Sequence, residues 1–229
     1  MNAPDPLQRK KTSAWQMYRA IVGIGAFCAL LIVSVYQGTA ARIADNKARF
    51  LNNAIAGVLP AVRSTVEVSL DADGALIKAT EPANLPAFLG YGEDGELVGA
   101  VITAQAMGYA DNVTVLYSYS FDLQAIVGFM VLETKETPGL GDKVETEPHF
   151  LANFEALDAR LNADGTALAN AIVTVKQGEK TEPWQIDGIT GATITSDAIG
   201  VIMHKGSSYW LPAIERDSRS FEPPQSSEE

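Results

Sequence analysis

The chain has 229 residues, 47% hydrophobic and 20% charged, a mix that suits one good-sized domain plus an attachment segment. Its formal net charge is −11, but seven of the 17 basic residues and two of the 28 acids precede position 50, so the remaining 10 basic and 26 acidic residues carry −16. A surface that acidic excludes a nucleic-acid partner and leaves backbone N–H groups or a covalent bond to hold any phosphate, while the lone Cys28 excludes an intrachain disulfide and a cysteine-ligated metal centre.

No charged residue occurs between Arg19 and Arg42, and Ala20 to Tyr36 is almost purely apolar. A helix of about 20 residues crosses the hydrocarbon core, so residues 20–41 are expected to form a membrane anchor. Trp15 and Tyr18 at one end and Tyr36 at the other suit the two interfaces. A cleaved signal peptide is the alternative, with Gly38-Thr39-Ala40-Ala41 offered to a peptidase; the apolar region is longer than the roughly 7–15 residues usual there. Arg9, Lys10, Lys11 and Arg19 precede the span, and Arg42, Lys47 and Arg49 follow it. Under the positive-inside rule this places a tail, residues 1–19, in the cytoplasm and the acidic domain outside it.

Beyond the anchor, Ala41 to Leu59 reads as a continuing helix, with Ile43, Phe50, Ala54 and Val58 on a rough stripe and Pro60 ending it. Strands are expected at Ser64–Leu70 and Ala75–Thr80 around the turn Asp71-Ala72-Asp73-Gly74, then at Ala87–Tyr91, Leu97–Ala104, Val113–Phe121 and Ala125–Glu133. Glu81 to Pro86 is a loop, and Gly108-Tyr109 with Asp111-Asn112 punctuates the run. Phe150–Leu161 has the spacing of an amphipathic helix and Ala171–Lys176 that of a further strand. This short, regular strand spacing favours an antiparallel sheet. The class is α+β, one domain over residues 42–215 with a mainly antiparallel sheet, and residues 216–229 turn polar as a loose tail.

Two glycine-bearing segments carry the chemistry. In Glu136-Thr137-Pro138-Gly139-Leu140-Gly141-Asp142-Lys143, Pro138-Gly139 is a turn and Gly141 permits a second positive φ. Such a segment lets backbone N–H groups lie against a ring or phosphate. In Asp187-Gly188-Ile189-Thr190-Gly191-Ala192-Thr193-Ile194-Thr195-Ser196, hydroxyls and glycines crowd together just before a helical pattern at Ile199, Ile202 and Met203, which Ser196 is placed to cap. A helix N-terminus there favours an anion. His149 and His204 have no partner at metal-ligand spacing, so no metal site is expected. Asn112-Val113-Thr114 is a glycosylation triplet of the kind that arises by chance. Trp184 either borders the site or packs in the core, and Tyr209-Trp210 packs the last helix or faces a partner.

Together the two segments resemble the two signatures of the FMN-binding domain family, in the same order and at similar spacing. With the anchor, the match is most similar to the branch that contains the G subunits of Rnf electron-transport complexes and the C subunits of sodium-pumping NADH:quinone reductases. Thr134 stands where members often carry His or Gln, and Ala110-Asp111 replaces a glycine-rich continuation. The resemblance implies a covalent FMN joined through a phosphoester to Thr193. It implies a separate flavin transferase that uses FAD and recognises Asp187. It also implies cofactor contacts from Thr190, Gly191, Ala192 and Thr195 and from Glu136, Thr137, Pro138, Gly139, Leu140 and Gly141. The function implied is electron relay within an ion-translocating Rnf-type complex in a bacterial inner membrane, with the large domain periplasmic. The implied partners are the complex's other membrane and iron–sulfur or flavin subunits and membrane lipid. The chain is then no complete enzyme by itself, and no residue is expected to act as general acid or base. The alternatives are an extracytoplasmic FMN domain of another respiratory chain, or a structural or assembly subunit that never receives flavin.

Overall fold

The computed structural model describes residues 14–81 and 83–224, so the Arg9-Lys10-Lys11 cluster and the last five residues of the polar tail lie outside the described residues. Helix α1 runs unbroken from Ala14 to Val58. Among the described residues it is the one helix long and apolar enough to cross a membrane. The chain divides into two compact units between Phe50 and Leu51. In the first, the apolar side chains of the helix, among them Ile21, Ile24, Phe27 and Leu30, are about two-thirds exposed.

The second unit is built on one seven-stranded sheet: β1 Ser64–Leu70, β2 Leu76–Lys78, β3 Ala87–Tyr91, β4 Leu97–Met107, β5 Asn112–Ser120, β6 Ala125–Glu133 and β7 Leu157–Asp158. The order is β2-β1-β3-β4-β5-β6-β7, with every pair antiparallel. Alternation sets the two faces. Ala100 and Ile102 of β4 with Val113, Val115, Tyr117 and Tyr119 of β5 point into the larger core, and Val101 and Leu116 point the other way. The last turns of α1 cover that second face through Ala54, Ile55 and Val58, with Leu59 and Val62 beyond the helix end. The helix end is fixed chemically as well. The Ser118 hydroxyl donates to the Val58 carbonyl at 2.6 Å, and Gly128 leaves the room for it, since a Cβ there would meet the same oxygen.

The larger core is closed by α4, Thr193–Asp217, whose Ile199, Ile202, Met203, Leu211 and Ile214 are buried at helical spacing. Each such side chain contributes about 1.5–3 kcal/mol by leaving water. A separate parallel pair, β8 Val173–Val175 and β9 Gln185–Asp187, packs beside α4 and leads directly into its first turn.

Two expectations need correction here. After a short α2 (Lys143–Thr146), the helix expected over Phe150–Leu161 is instead the end of α3 (Pro148–Leu151) and a 3₁₀ turn, Ala152–Glu155, followed by β7. Phe150 and Phe154 do share a face, packing with Phe129. At Ala156 the backbone turns to φ −162° and ψ 60°, and Leu157 pairs with Ile126 on the β6 edge, trading helix bonds for ladder bonds. The loose tail expected from Arg216 begins later. Arg216 donates to the Gly74 carbonyl, the Leu76 N–H donates to Asp217 Oδ2 at 3.0 Å, and the Tyr91 hydroxyl donates to the Phe221 carbonyl. The Arg216 guanidinium, joined by the Leu76 N–H, holds the Asp217 carboxyl down at about 2.

Candidate functional site

The strand–loop and loop–helix junctions that carry the two glycine segments meet at one end of the unit. Residues 136–141 leave β6, residues 188–192 leave β9, and between them opens a cleft of about 290 Å³. Glu136, Thr137, Leu140 and Gly141 form one side, and Gly191, Ala192, Thr193, Ile194 and Thr195 the other. Tyr109, from the turn between β4 and β5, completes the lining. Tyr109, Leu140 and Ile194 are each more than half exposed, so apolar groups stand at the opening without a protein partner.

Glu136 binds three segments together. Its Oε2 accepts from the Thr195 hydroxyl at 2.7 Å and its Oε1 from the Ala110 N–H at 2.9 Å, although only 7% of the residue is exposed. Its own N–H donates to Thr134 Oγ1 at 3.1 Å. Burial pushes the carboxyl up, but the Ala110 N–H, the Thr195 hydroxyl and the N–H groups of Tyr109 and Asp111 outweigh that and hold it below the ordinary glutamate value. Gly108 and Gly141 make the space: a Cβ on either would run into the Glu136 carboxylate. Gly141 is thus a glycine for room, and the second positive φ expected there is absent. The positive φ falls on Gly139, at 81°, in a turn where its N–H donates to Asp142 Oδ1 at 2.7 Å. Gly139 and Pro138 shape this turn and do not line the cleft, and the Gly139 N–H is already used.

On the other side, helix α4 starts three residues earlier than the expected Ser196 cap. Thr193 is its first residue, reached through Gly191 at φ +87° and the Ala192 N–H bond to Ile189. The first helical donor is Ser196, whose N–H reaches the Ala192 carbonyl at 2.9 Å. The N–H groups of Thr193, Ile194 and Thr195 therefore stand free of backbone partners, as the first turn of any helix requires. Ser196 faces inward, and its Oγ accepts from the Ile189 N–H at 3.1 Å. The segment is held from within, and the helix has no side-chain cap.

Thr193 is exposed and is the one residue shared by this cleft and a second, of about 600 Å³, on its far side. Thr190 lies in the second cleft, with Lys176, Gln177 and Asp197, rather than in the first. No Lys or Arg lines the first cleft. An anion there has the amides at the start of α4 and the helix dipole as its positive partners.

Asp187 is absent from both linings and is buried. Its Oδ1 accepts from the Gly178 N–H at 2.7 Å and its Oδ2 lies 3.0 Å from His149 Nε2. Asn153 brackets its backbone, accepting from the Asp187 N–H at 3.0 Å and donating to its carbonyl at 3.1 Å. Sequence reasoning assigned no role to His149, Asn153 or Gln177, and treated Tyr109 only as punctuation. The signal for Tyr109 is present in the chain: a large, exposed aromatic in a turn, directly after a glycine that the packing of Glu136 requires. Trp184 lines neither cleft.

Residues 108–206 match the FMN-binding domain family. The chain is 29% identical over 192 residues to the G subunit of the ion-translocating oxidoreductase complex of Methanosarcina acetivorans, covering 82% of this chain and 90% of that one. It is 35% identical over 107 residues to the G subunit of the Na⁺-translocating ferredoxin:NAD⁺ oxidoreductase complex of Acetobacterium woodii, 46% of each chain. Among solved structures, the C subunit of the Na⁺-translocating NADH-quinone reductase of Parabacteroides distasonis matches with a TM-score of 0.54, covering 67% of this chain and 78% of that one. At 19% identity this is likeness of fold. Residues 108–206, which hold both glycine loops and the first turns of α4, therefore match the FMN-binding domain family, on a chain similar over most of its length to the G subunit of an ion-translocating oxidoreductase complex.

Proposed function

We propose that this chain is the membrane-anchored, FMN-carrying G subunit of an Rnf-type ion-translocating electron-transport complex, with FMN joined by a phosphoester to Thr193 Oγ. The observation that carries the reading is the position of Thr193: an exposed hydroxyl on the first residue of α4, shared by two clefts, at the end of one glycine loop and across the cleft from the other. The residues present fit the group. Leu140, Ile194 and Tyr109 offer apolar surface to a ring, the free amides of the first turn of α4 suit a phosphodiester, and Gly191, Ala192 and Gly141 keep the backbone bare beside it. Thr137 lines the opposite wall, Pro138 and Gly139 shape the turn that carries it, and Glu136 with Thr195 ties the walls together. The redox chemistry is the flavin's own, and the protein's part is placement and electrostatics.

Attachment requires a flavin transferase with FAD as donor. Thr193 Oγ forms the new bond to the FMN phosphorus, the pyrophosphate bond breaks, AMP leaves with the bonding pair, and the hydroxyl proton passes to a base of the transferase. Covalent attachment suits a domain of net −16 that has few cations to hold a phosphate, and suits a site outside the cytoplasm where free FMN is lost to a large volume. In this reading α1 anchors the chain in the lipid of a bacterial inner membrane, the domain is periplasmic, and other membrane and iron–sulfur or flavin subunits pass electrons to and from it. Mass spectrometry of the chain from cells that contain the transferase tests it. The peptide bearing Thr193 gains about 438 Da, FMN less water, and Thr193→Ala loses in-gel flavin fluorescence while still entering the membrane. Unmodified peptide from such cells overturns the reading.

A further inference from the structure

The Asp187 carboxylate is the one charged group of the threonine segment, and it lines neither of the clefts that Thr193 shares. Its side chain is 10% exposed, and each oxygen has a partner: the Gly178 N–H on Oδ1 and His149 Nε2 on Oδ2. A second protein reading this carboxylate would first have to break contacts inside the fold, and a buried acceptor stripped of its donors is costly. The contacts lead elsewhere. Gly178, at φ +84°, turns the segment after β8, and the Glu179 N–H closes that turn on the Lys176 carbonyl at 2.9 Å. The neighbouring Gln177 Oε1 accepts from the Thr190 N–H at 3.0 Å. Thr190 precedes Gly191, whose left-handed backbone delivers the chain to Thr193. Behind Asp187, the amide of Asn153 accepts from the Asp187 N–H and from Lys180 Nζ while donating to the Phe150 and Asp187 carbonyls.

We infer that Asp187 is a positioning residue for the modification of Thr193: with His149 and Asn153 behind it, it fixes the 176–179 turn, and through Gln177 that turn holds the Thr190–Gly191 backbone that presents the Thr193 hydroxyl. The same turn forms a wall of the second cleft, through Lys176, Gln177 and Glu179, so it also sets the approach to that hydroxyl from the side away from Leu140. This rests on the proposed function, in which Thr193 Oγ takes the FMN phosphoryl group and AMP leaves. It changes what the aspartate does there. Its carboxylate acts within the acceptor and is not a contact for the transferase.

The test uses the full chain in detergent, with two readouts: hydrogen exchange of the unmodified protein, and kcat and KM for flavin transfer from FAD by the transferase. Asp187→Ala is expected to speed exchange at the Gly178 and Thr190 amides by about tenfold or more, the scale of one lost charge-assisted hydrogen bond, and to lower kcat with KM for the acceptor chain little changed. Asp187→Asn keeps a carbonyl oxygen for Gly178 and is expected to restore most of both. Gln177→Ala, at an exposed residue outside the threonine segment, is expected to free the Thr190 amide alone and to lower kcat. If Asp187→Ala abolishes modification while both amides stay as protected as in the parent chain, or raises KM alone, the carboxylate is read directly and the inference falls. If Asp187→Ala fails to fold, Gln177→Ala decides by the same two readouts, a normal kcat counting against. A parent chain that takes no flavin removes the proposed function, and the exchange data still decide whether Asp187 holds the turn.

Discussion

Four hydroxyls stand within Thr190–Ser196, and their partners separate them. Thr195 Oγ1 is given to Glu136 and Ser196 Oγ to the Ile189 N–H, both inside the fold. Thr190 is exposed but lies in the second cleft beside Gln177, and only Thr193 opens onto both. Glu136 is the residue on which this sorting depends, and its lowered pKa gives it a pH signature. A carboxylate whose folded pKa is depressed stabilises the fold fully above its unfolded value, and that contribution is lost as pH falls through the folded value. The melting temperature of the parent chain is therefore expected to exceed that of Glu136→Gln at neutral pH, with the gap closing below the unfolded glutamate value of about 4.3. A gap that stays constant down to acid pH counts against a charged Glu136 holding the three segments.

At the scale of elements, the start of α4 depends on one backbone conformation. At Gly191, with φ +87°, an added Cβ would meet nothing within 4 Å, so the cost of a side chain there is conformational alone. Gly191→Ala is expected to lose about 1–2 kcal/mol in chemical denaturation, and Gly191→Asn less, since asparagine tolerates that region. Equal losses would point to a steric cause instead. The strands were legible because alternation and turn residues agree: Ser64–Leu70, Ala87–Tyr91 and Ala125–Glu133 have the bounds that their patterns suggest. The failures have physical causes. Phe150, Phe154, Leu157 and Leu161 recur at helical spacing, yet the last two are claimed by strand pairing with Ile126 and a bridge to Leu168, which no local pattern reveals. Ser196 has the chemistry of a cap, but its oxygen serves the incoming Ile189 N–H, leaving the helix free to begin at Thr193. The cleft was legible as two motifs. The links among Asp187, Gly178, Gln177 and Thr190 were not, because they join loops through single side-chain contacts with no periodicity.

At the scale of the whole molecule, α1 serves two settings. Up to Phe50 its apolar side chains are exposed, while from Leu51 it covers a face of the sheet. A chain starting at Leu51 is expected to be soluble and to melt cooperatively. One starting at Ala61 uncovers Phe88, Val101 and Leu116 and leaves Ser118 without the Val58 carbonyl, so it is expected to aggregate or melt far lower. Size-exclusion chromatography and thermal melts of the two chains check this, and equal behaviour would show that the end of the helix is dispensable.

The nesting of the Glu136 carboxylate between Gly108 and Gly141 has a consequence for how such a chain can change over generations. The three positions lie far enough apart in sequence to mutate separately, yet a methyl group at either glycine is compatible only with a shorter or differently aimed acid. They should therefore covary as one heritable unit. A lineage that replaces the glutamate loses the steric reason for Gly141 and part of that for Gly108, where Val113 and the Asp111 carbonyl also crowd a Cβ, and one that fills either glycine must first surrender the glutamate.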